Sequence, residues 1–261
     1  MMGMPQTSQW FANSKPNPRA QIRLFCFPYA GGGSQIFRAW PSGLPQTVEV
    51  LAAQLPGRGN RLNEPPLTDL RKMIEAISAG ILTYLDRPFA FFGHSMGALI
   101  AFELARLLRR ERAVQPVRLF ISGRRAPQCP STELILHDLP EAEFKEQLRR
   151  LNGTPQEVLE HPELMELMTP LLRADFSMVE TYQYLHDAPL DCPINAFGGL
   201  QDVDVDRASL EAWRDQTTST FKLHMMPGDH FFLHSTQSLL LRVIAHELHH
   251  DIANGRMSRT P

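Results

Sequence analysis

The residues best suited to chemistry lie at positions 93–97, which read Gly-His-Ser-Met-Gly. An apolar run of strand type precedes them, and residues 98–110 have the spacing of a helix. A Gly-x-Ser-x-Gly turn between a strand and a helix is typical of a nucleophile elbow, where a strained backbone exposes the serine hydroxyl at a helix N-terminus. We therefore interpret Ser95 as a candidate nucleophile, although a strand-to-helix turn that merely needs two glycines would show the same pattern.

A serine hydroxyl is protonated at neutral pH, so it reacts only when a base lies within hydrogen-bond reach. Downstream, Asp202 follows a predicted strand that ends in two glycines, and His230 follows the next predicted strand. The order Ser, Asp, His along the chain is that of the α/β-hydrolases. In that arrangement His230 takes the proton of Ser95, while Asp202 orients the imidazole and stabilises its charged form.

Other residues near these positions compete for the two roles. Asp204 and Asp206 are alternative acids, but Asp202 comes first after the glycine turn. His234 is an alternative base; it lies nearer the last predicted helix, whereas His230 is at the apex of its loop. A solvated or core histidine is the remaining interpretation of His230.

A glycine-rich loop follows the first predicted strand, where residues 29–34 read Tyr-Ala-Gly-Gly-Gly-Ser. A phosphate-binding loop would need Gly-x-Gly-x-x-Gly or a Lys-Ser/Thr pair, and this loop has neither. In elbow hydrolases, such a loop supplies one oxyanion donor, and the residue after the nucleophile supplies the other. This nominates the backbone N–H groups of Ala30 and Met96, with a flexible surface turn as the alternative.

Strands and helices alternate along most of the chain, which predicts an α/β fold with a mostly parallel sheet and helices on both faces. We expect one domain, with residues 21–125 and 189–255 as its core and residues 1–20 as an N-terminal arm. The predicted strands are residues 21–28, 48–54, 89–92, 117–123, 194–199 and 221–226, the last at an edge.

Residues 126–188, the helical insertion, interrupt this alternation because helical stripes replace strands there. The insertion follows the carboxyl end of a strand, so we expect it to form a lid above Ser95 that lines an acyl groove. Packing on the core is the alternative for any one apolar residue. The stripes are formed by Phe144, Leu148 and Leu151, by Leu164, Leu167, Met168 and Leu171, and by Phe176, Val179 and Tyr182.

Residues 246–250 satisfy His-Glu-x-x-His, a pattern that zinc proteases place on a helix. The predicted helix buries its opposite face, which turns His246 and His250 toward solvent. The longer signature also fails, because Ala253 and Arg256 stand where a glycine and a third histidine are required. We therefore expect no catalytic metal.

The overall composition indicates which kinds of partner and which cell compartment to expect. The net charge is −2 over 261 residues, with 43% hydrophobic and 21% charged residues, which is typical of a soluble globular protein and disfavours nucleic-acid binding. Three widely spaced cysteines indicate reduced thiols rather than a disulfide framework. The sequence has neither a signal-peptide core nor an apolar run of membrane-spanning length. We expect a cytoplasmic protein that does not bind membranes, with a monomer as the default.

Taken together, six motifs in sequence order resemble the type II thioesterases that accompany polyketide synthases and non-ribosomal peptide synthetases. The resemblance covers residues 22–248. Asp229 departs from the pattern, because this family more often has a glycine before the histidine. The motifs are residues 27–32 (Phe-Pro-Tyr-Ala-Gly-Gly), 55–58 (Leu-Pro-Gly-Arg), 93–97, 122–127 (Ser-Gly-Arg-Arg-Ala-Pro), 197–199 (Phe-Gly-Gly) with Asp202, and 229–233 (Asp-His-Phe-Phe-Leu).

The resemblance implies hydrolysis of an acyl group from the phosphopantetheine thiol of an acyl or peptidyl carrier protein, without a cofactor. It also leads us to expect substrate contacts from Tyr29, Phe231 and Met178. Arg124 and Arg125 would meet the acidic carrier protein or form a solvated pair. Two alternatives remain: the same triad acting on oxygen esters or transferring the acyl group, and a catalytically inactive module that binds carrier proteins.

Overall fold

The protein was analysed as a computed structural model that describes residues 9–12, 16–130 and 134–255. Its seven strands form one sheet with the order β1-β3-β2-β4-β5-β6-β7. All neighbouring strands pair in parallel except β1 and β3, which are antiparallel. The strands are β1 (Phe11–Ala12), β2 (Ile22–Phe27), β3 (Val48–Ala53), β4 (Phe89–His94), β5 (Arg118–Ser122), β6 (Ile194–Gly199) and β7 (Phe221–Met226).

The helices cover both faces of the sheet, as an α/β fold requires. Along β2, Phe25 and Phe27 pack into an apolar cluster with α2 and α3, whereas Leu24 and Cys26 pack into a second cluster with α1 and α9. The helices are α1 (Trp40–Gly43), α2 (Leu70–Ile81), α3 (Met96–Arg112), α4 (Glu141–Leu151), α5 (Gln156–Glu160), α6 (Pro162–Glu180), α7 (Arg207–Glu211), α8 (Phe232–Ser235) and α9 (Gln237–Ala253). Within the described ranges, no helix is both long and apolar enough to cross a bilayer.

The strands agree closely with the sequence prediction because their patterns are simple. Every residue of β4, β5 and β6 is buried, as expected for central parallel strands covered on both faces. β7 lies at one edge and is only partly buried, as its position at the end of the predicted series indicated.

The helical insertion contains α4, α5 and α6, which share a third apolar cluster. All residues of the last two predicted stripes except Tyr182 lie in one helix, α6, which ends at Glu180 and contains Pro170. Leu171 is buried and Met168 packs against the third cluster, in agreement with the predicted stripe. Leu164 and Leu167 are 40% and 57% exposed instead, and Met165 and Leu172 complete the buried face.

The predicted N-terminal arm, residues 1–20, contains a short strand that the sequence analysis did not predict. β1 pairs with the edge of β3, and the buried ring of Phe11 lies 4.9 Å from that of Phe25, edge to face. A two-residue strand is too short to produce a periodic pattern, so only its pairing with β3 reveals it. Residues 1–8 and 13–15 lie outside the described part of the chain.

A buried ion pair joins β5 to α9 on the side of the core away from Ser95. Arg118 Nε and Nη2 donate to the two carboxylate oxygens of Asp251 at 2.7 and 2.8 Å. Their side chains are 3% and 0% exposed. Glu247 also lies 3.0 Å from Arg118 Nη1, so removing Asp251 takes away two charge-assisted hydrogen bonds while one buried carboxylate still opposes the arginine charge.

We expect Asp251→Asn to lower the free energy of unfolding by about 2 kcal/mol. The amide keeps the shape of the carboxylate but loses its charge, and Glu247 alone then opposes the charge of Arg118. Urea unfolding followed by circular dichroism measures the loss. An unchanged unfolding midpoint would contradict the stabilising role of this pair.

Candidate active site

Ser95 lies between β4 and α3 in a conformation that residues with a side chain rarely adopt. Its backbone angles are φ 53° and ψ −113°, and its N–H donates to the carbonyl of Ser122 on β5 at 2.8 Å. Such strain persists only where surrounding contacts impose it. A Cβ on Gly93 would lie 2.0 Å from the Gly97 carbonyl oxygen, and one on Gly97 would lie 2.1 Å from the carbonyl oxygen of Phe27. The two glycines therefore permit the close backbone crossing that sets the serine at the end of the sheet.

Asp202 and His230 are hydrogen-bonded to each other on the loops that follow β6 and β7. The distance from His230 Nδ1 to Asp202 Oδ2 is 2.7 Å, and the Asp202 carboxylate is fully buried. Its other oxygen accepts the backbone N–H groups of Asp204 at 3.0 Å and Val205 at 3.1 Å. Because an ionised carboxylate only accepts, Nδ1 carries the proton and His230 Nε2 is left as a base.

The competing acids and base are engaged elsewhere. Asp204 lies 3.6 Å from Arg150, and Asp206 caps α7 by accepting the Ser209 N–H at 2.7 Å. His234 Nε2 lies 2.9 Å from the hydroxyl of Tyr29. Of the candidates in the sequence, the structure therefore joins Asp202 to His230.

Ser95 and His230 line the same cavity, which has a volume of about 330 Å³. Tyr29, Ala30 and Phe231 also line it, as do three arginines, Arg124, Arg125 and Arg150. The helical insertion supplies most of its apolar wall. These wall residues are Leu134, Leu136, Leu148, Leu151, Leu172, Phe176 and Val179.

Met178 lies elsewhere, contrary to the expectation of a substrate contact. Its side chain is fully buried in the cluster with α2 and α3, and it lines a second cavity between α6 and those helices. On α6, Phe176 and Val179 face the cavity that contains Ser95, and Met178 lies between them on a different side of the helix. An apolar stripe alone does not distinguish the two sides.

Both nominated oxyanion donors occupy suitable places. Ala30 lines the cavity, and within the described residues its N–H donates no hydrogen bond. The neighbouring Gly32 N–H donates to the Tyr29 carbonyl at 2.9 Å, which closes a tight turn around Ala30. Met96 is the first residue of α3, where backbone N–H groups have no acceptor within the helix. The role of these two N–H groups as oxyanion donors stays a prediction.

His94 is a second histidine behind the site, fully buried at the end of β4. Its Nδ1 lies 2.9 Å from the Ser122 hydroxyl, and its ring centroid is 5.2 Å from that of His230. Burial lowers the pKa of His94 well below its ordinary value, and the nearby His230 and His234 rings lower it further. His94 is therefore neutral, and it adds no positive charge beside the candidate base.

The His-Glu-x-x-His residues on α9 do not line the cavity that contains Ser95. His246 and His250 are exposed, whereas Glu247 is buried and accepts from Lys222 at 2.6 Å. Arg118 lies 3.0 Å from the same carboxylate. Among the residues described, no cluster of three or more His, Cys, Asp or Glu side chains has the arrangement of a metal site.

Sequence reasoning missed Asp175 on α6, which contacts the loop of Ala30. The Asp175 carboxylate accepts the Gly31 N–H at 2.7 Å and both terminal nitrogens of Arg58. The only signal in the sequence is an aspartate among the apolar residues of the buried face of α6, which marks a buried carboxylate but not its partner. Arg58 was visible only as part of the Leu-Pro-Gly-Arg motif.

The close contact of Gly97 with the backbone of Phe27 allows a direct test of the turn that carries Ser95. In Gly97→Ala, the new Cβ would press on the backbone of β2, which cannot move aside as a side chain can. We expect a loss of about 3 kcal/mol in unfolding free energy and slow labelling of Ser95 by a fluorophosphonate. Gly43→Ala is the matched control, because its Cβ would meet only a methyl group of Leu241, at 2.5 Å. If Gly97→Ala is stable and the fluorophosphonate labels its Ser95 rapidly, position 97 does not require a glycine.

The buried His94 predicts a pH dependence of stability. Because its pKa is lower in the folded chain than in the unfolded chain, the unfolded chain binds more protons between that pKa and about 6.5, and stability falls as pH falls through this range. His94→Asn removes this contribution. Between pH 7 and pH 5, we therefore expect the unfolding free energy of the variant to fall by up to about 2 kcal/mol less than that of the wild type. Urea unfolding at both pH values measures the difference. Equal losses would show that His94 does not titrate in this way.

The comparisons with known proteins agree with this geometry. The family model for the thioesterase domain matches residues 22–248. The gramicidin S biosynthesis protein GrsT of Aneurinibacillus migulanus is 48% identical over 248 residues, which cover 95% of this chain and 97% of GrsT.

Solved structures give the same result. RedJ, a thioesterase from the prodiginine pathway of Streptomyces coelicolor, superimposes with a TM-score of 0.82 at 37% identity, covering 90% of each chain. BorB, the type II thioesterase from the borrelidin biosynthetic cluster, superimposes with a TM-score of 0.85 at 34% identity, covering 94% of this chain and 100% of BorB. The chain therefore belongs to the thioesterase family, has the α/β-hydrolase fold, and is a hydrolase that acts on thioesters.

Proposed function

We propose that this enzyme removes acyl groups from the phosphopantetheine thiol of an acyl or peptidyl carrier protein, and so edits misprimed or stalled polyketide or non-ribosomal peptide synthesis. The observation that carries this proposal is the cavity shared by Ser95 and His230, walled by the apolar side chains of the insertion. GrsT, RedJ and BorB are named for biosynthetic pathways or clusters, which supports the choice of substrate.

In the proposed acylation step, Ser95 Oγ attacks the thioester carbonyl carbon while His230 Nε2 takes its proton. Asp202 stabilises the imidazolium through the bond to Nδ1. The negative charge that develops on the carbonyl oxygen is held by the N–H groups of Ala30 and Met96. Collapse of this intermediate breaks the carbon–sulfur bond, and His230 returns its proton to the departing thiolate.

In the proposed deacylation step, water takes the place of the thiol. His230 Nε2 removes a proton from this water, whose oxygen attacks the acyl-serine carbonyl carbon at the same oxyanion site. The ester bond then breaks, and the proton passes to Ser95 Oγ. The free acid leaves and the enzyme is restored, so these two steps need only water besides the side chains.

The shape and charge of the cavity support an acyl group bound to a carrier protein. Tyr29 and Phe231 are in edge-to-face contact at 5.0 Å beside the candidate triad, where they would pack against the acyl chain. Arg124, Arg125 and Arg150 outnumber the two acidic residues of the cavity lining, Glu180 and Asp204, and this excess of positive charge would favour an acidic carrier protein.

We further propose a monomer that works in the cytoplasm. The three cysteines, Cys26, Cys129 and Cys192, are free thiols, as the reducing cytoplasm would keep them. Size-exclusion chromatography with light scattering tests the oligomeric state.

The triad assignment predicts the effect of single substitutions. We expect Ser95→Ala and His230→Ala to lower kcat for acyl-carrier thioesters by about 10⁴-fold or more, with little change in thermal stability because both side chains line the cavity. Mass spectrometry of carrier proteins loaded with a panel of acyl groups follows the loss of each group. Full turnover by Ser95→Ala would exclude Ser95 as the nucleophile.

The same assay separates the alternatives. Faster turnover of an oxygen ester than of the matched thioester would favour an esterase, and transfer of the acyl group to an added alcohol or amine would favour an acyltransferase. A module without catalytic activity would show no fluorophosphonate labelling of Ser95. Labelling that depends on His230 would exclude that reading.

A further inference from the structure

A buried ion pair holds the loop that carries Ala30. Asp175, on α6 of the insertion, and Arg58, on the loop after β3, are 0% and 7% exposed. Arg58 Nη1 and Nη2 donate to Asp175 Oδ2 at 2.8 Å and Oδ1 at 2.7 Å. This is the bidentate geometry in which an arginine and a carboxylate interact most strongly.

Both partners also bind the backbone of the Ala30 loop. Asp175 Oδ2 accepts the N–H of Gly31 at 2.7 Å, and Arg58 Nη1 donates to the carbonyl of Gly32 at 2.9 Å. Leu172, one turn earlier on α6, packs so tightly on Gly31 that a Cβ there would lie 2.6 Å from its methyl group. The ion pair thus fixes the Ala30–Gly31 peptide through its N–H and the Gly32–Gly33 peptide through its carbonyl.

Two of the three backbone N–H groups of residues 30–32 have an acceptor, and the third is that of Ala30. Gly32 N–H closes the turn onto Tyr29, Gly31 N–H is held by Asp175, and the Gly32 carbonyl is held by Arg58. Within the described residues, only the N–H of Ala30 among these groups has no acceptor, and Ala30 lines the cavity with Ser95. The network therefore orients the peptide between Tyr29 and Ala30 and leaves the N–H of that peptide open to a ligand.

Stability alone does not account for two buried charges at this place. Apolar side chains of similar volume often stabilise a core as well as an ion pair does, because removing charges from water is costly. A carboxylate and a guanidinium can, however, bind each other and the loop backbone at the same time, which apolar side chains cannot do.

We propose that Asp175 and Arg58 are positioning residues, which hold the Ala30 N–H in the orientation that binds the oxyanion. Catalysis then requires α6 of the insertion to be seated on the loop, because Asp175 belongs to that helix. The inference rests on the proposed function only in naming the reaction, since any tetrahedral adduct on Ser95 would use the same donor.

The test is Asp175→Asn, which keeps the shape and an oxygen acceptor but removes the charge that binds Arg58. Loss of one well-placed oxyanion donor costs about 10²- to 10³-fold in rate. Because this variant displaces the donor rather than deleting it, we expect kcat per folded molecule to fall by about 10- to 100-fold. KM should change by less than about threefold, since the interaction is made mainly in the transition state.

Asp251→Asn is the matched control, because Arg118 and Asp251 form a bidentate pair of similar burial far from the site. Both variants should lower the melting temperature, but only Asp175→Asn should lower kcat per folded molecule. Equal effects on kcat, or a rise in KM alone, would show that the Arg58–Asp175 pair only supports the fold. If Asp175→Asn does not fold, Arg58→Lys, which keeps the charge but not the two-pronged geometry, should show the same loss in kcat.

An alkyl boronic acid provides a readout that is independent of the thioester. Boron accepts a lone pair from Ser95 Oγ as the proton passes to His230, which gives a tetrahedral adduct with an oxygen at the oxyanion position. We expect its affinity to fall by about 10-fold or more in Asp175→Asn and to be unchanged in Asp251→Asn. If the wild type binds the boronic acid but hydrolyses no carrier thioester, the proposed function fails while the positioning role is still measured. Equal boronic acid affinity in all three proteins would overturn the positioning role.

Discussion

The strained backbone of Ser95 is the constraint on which the rest of the site depends. A positive φ at a serine costs about 1–3 kcal/mol, and here it is imposed by the hydrogen bonds of β4 to both neighbouring strands and by the crossing of Gly93 and Gly97. The packing and hydrogen bonds of the fully buried central strands offset this energy. Ser95 is thereby held at the end of the sheet, where the loop after β7 places His230 in the same cavity and the loop after β6 supplies Asp202 to its ring.

Two buried groups, Asp202 and His94, set the charge in the surroundings of His230. Asp202 is a buried carboxylate satisfied by two backbone donors and by His230. The neighbouring His94 stays neutral because burial opposes its protonation. In the proposed reaction, a positive charge on His230 would therefore meet no repulsion from His94. In a site of low dielectric constant, such arrangements act more strongly than they would in water.

Much of this arrangement could be predicted from sequence because it depends on local patterns. Continuous apolar runs identify the central strands, and the elbow glycines with the order Ser95, Asp202 and His230 identify the candidate triad. The strand at Phe11 is too short for a periodic signal and depends on a distant partner. Asp175 was missed for a related reason, since its role is visible only once α6 lies on the glycine loop, 144 residues away in sequence.

One half of α6 serves two purposes in the proposed reaction. Leu172, Phe176 and Val179 wall the cavity, and Asp175 between them accepts the Gly31 N–H of the glycine loop. All four follow Pro170, whose missing N–H interrupts the hydrogen-bond ladder of the helix. A substitution that enlarges the cavity from this half changes the same stretch of helix that seats Asp175 on the loop. A change in acyl preference is therefore coupled to a change in rate.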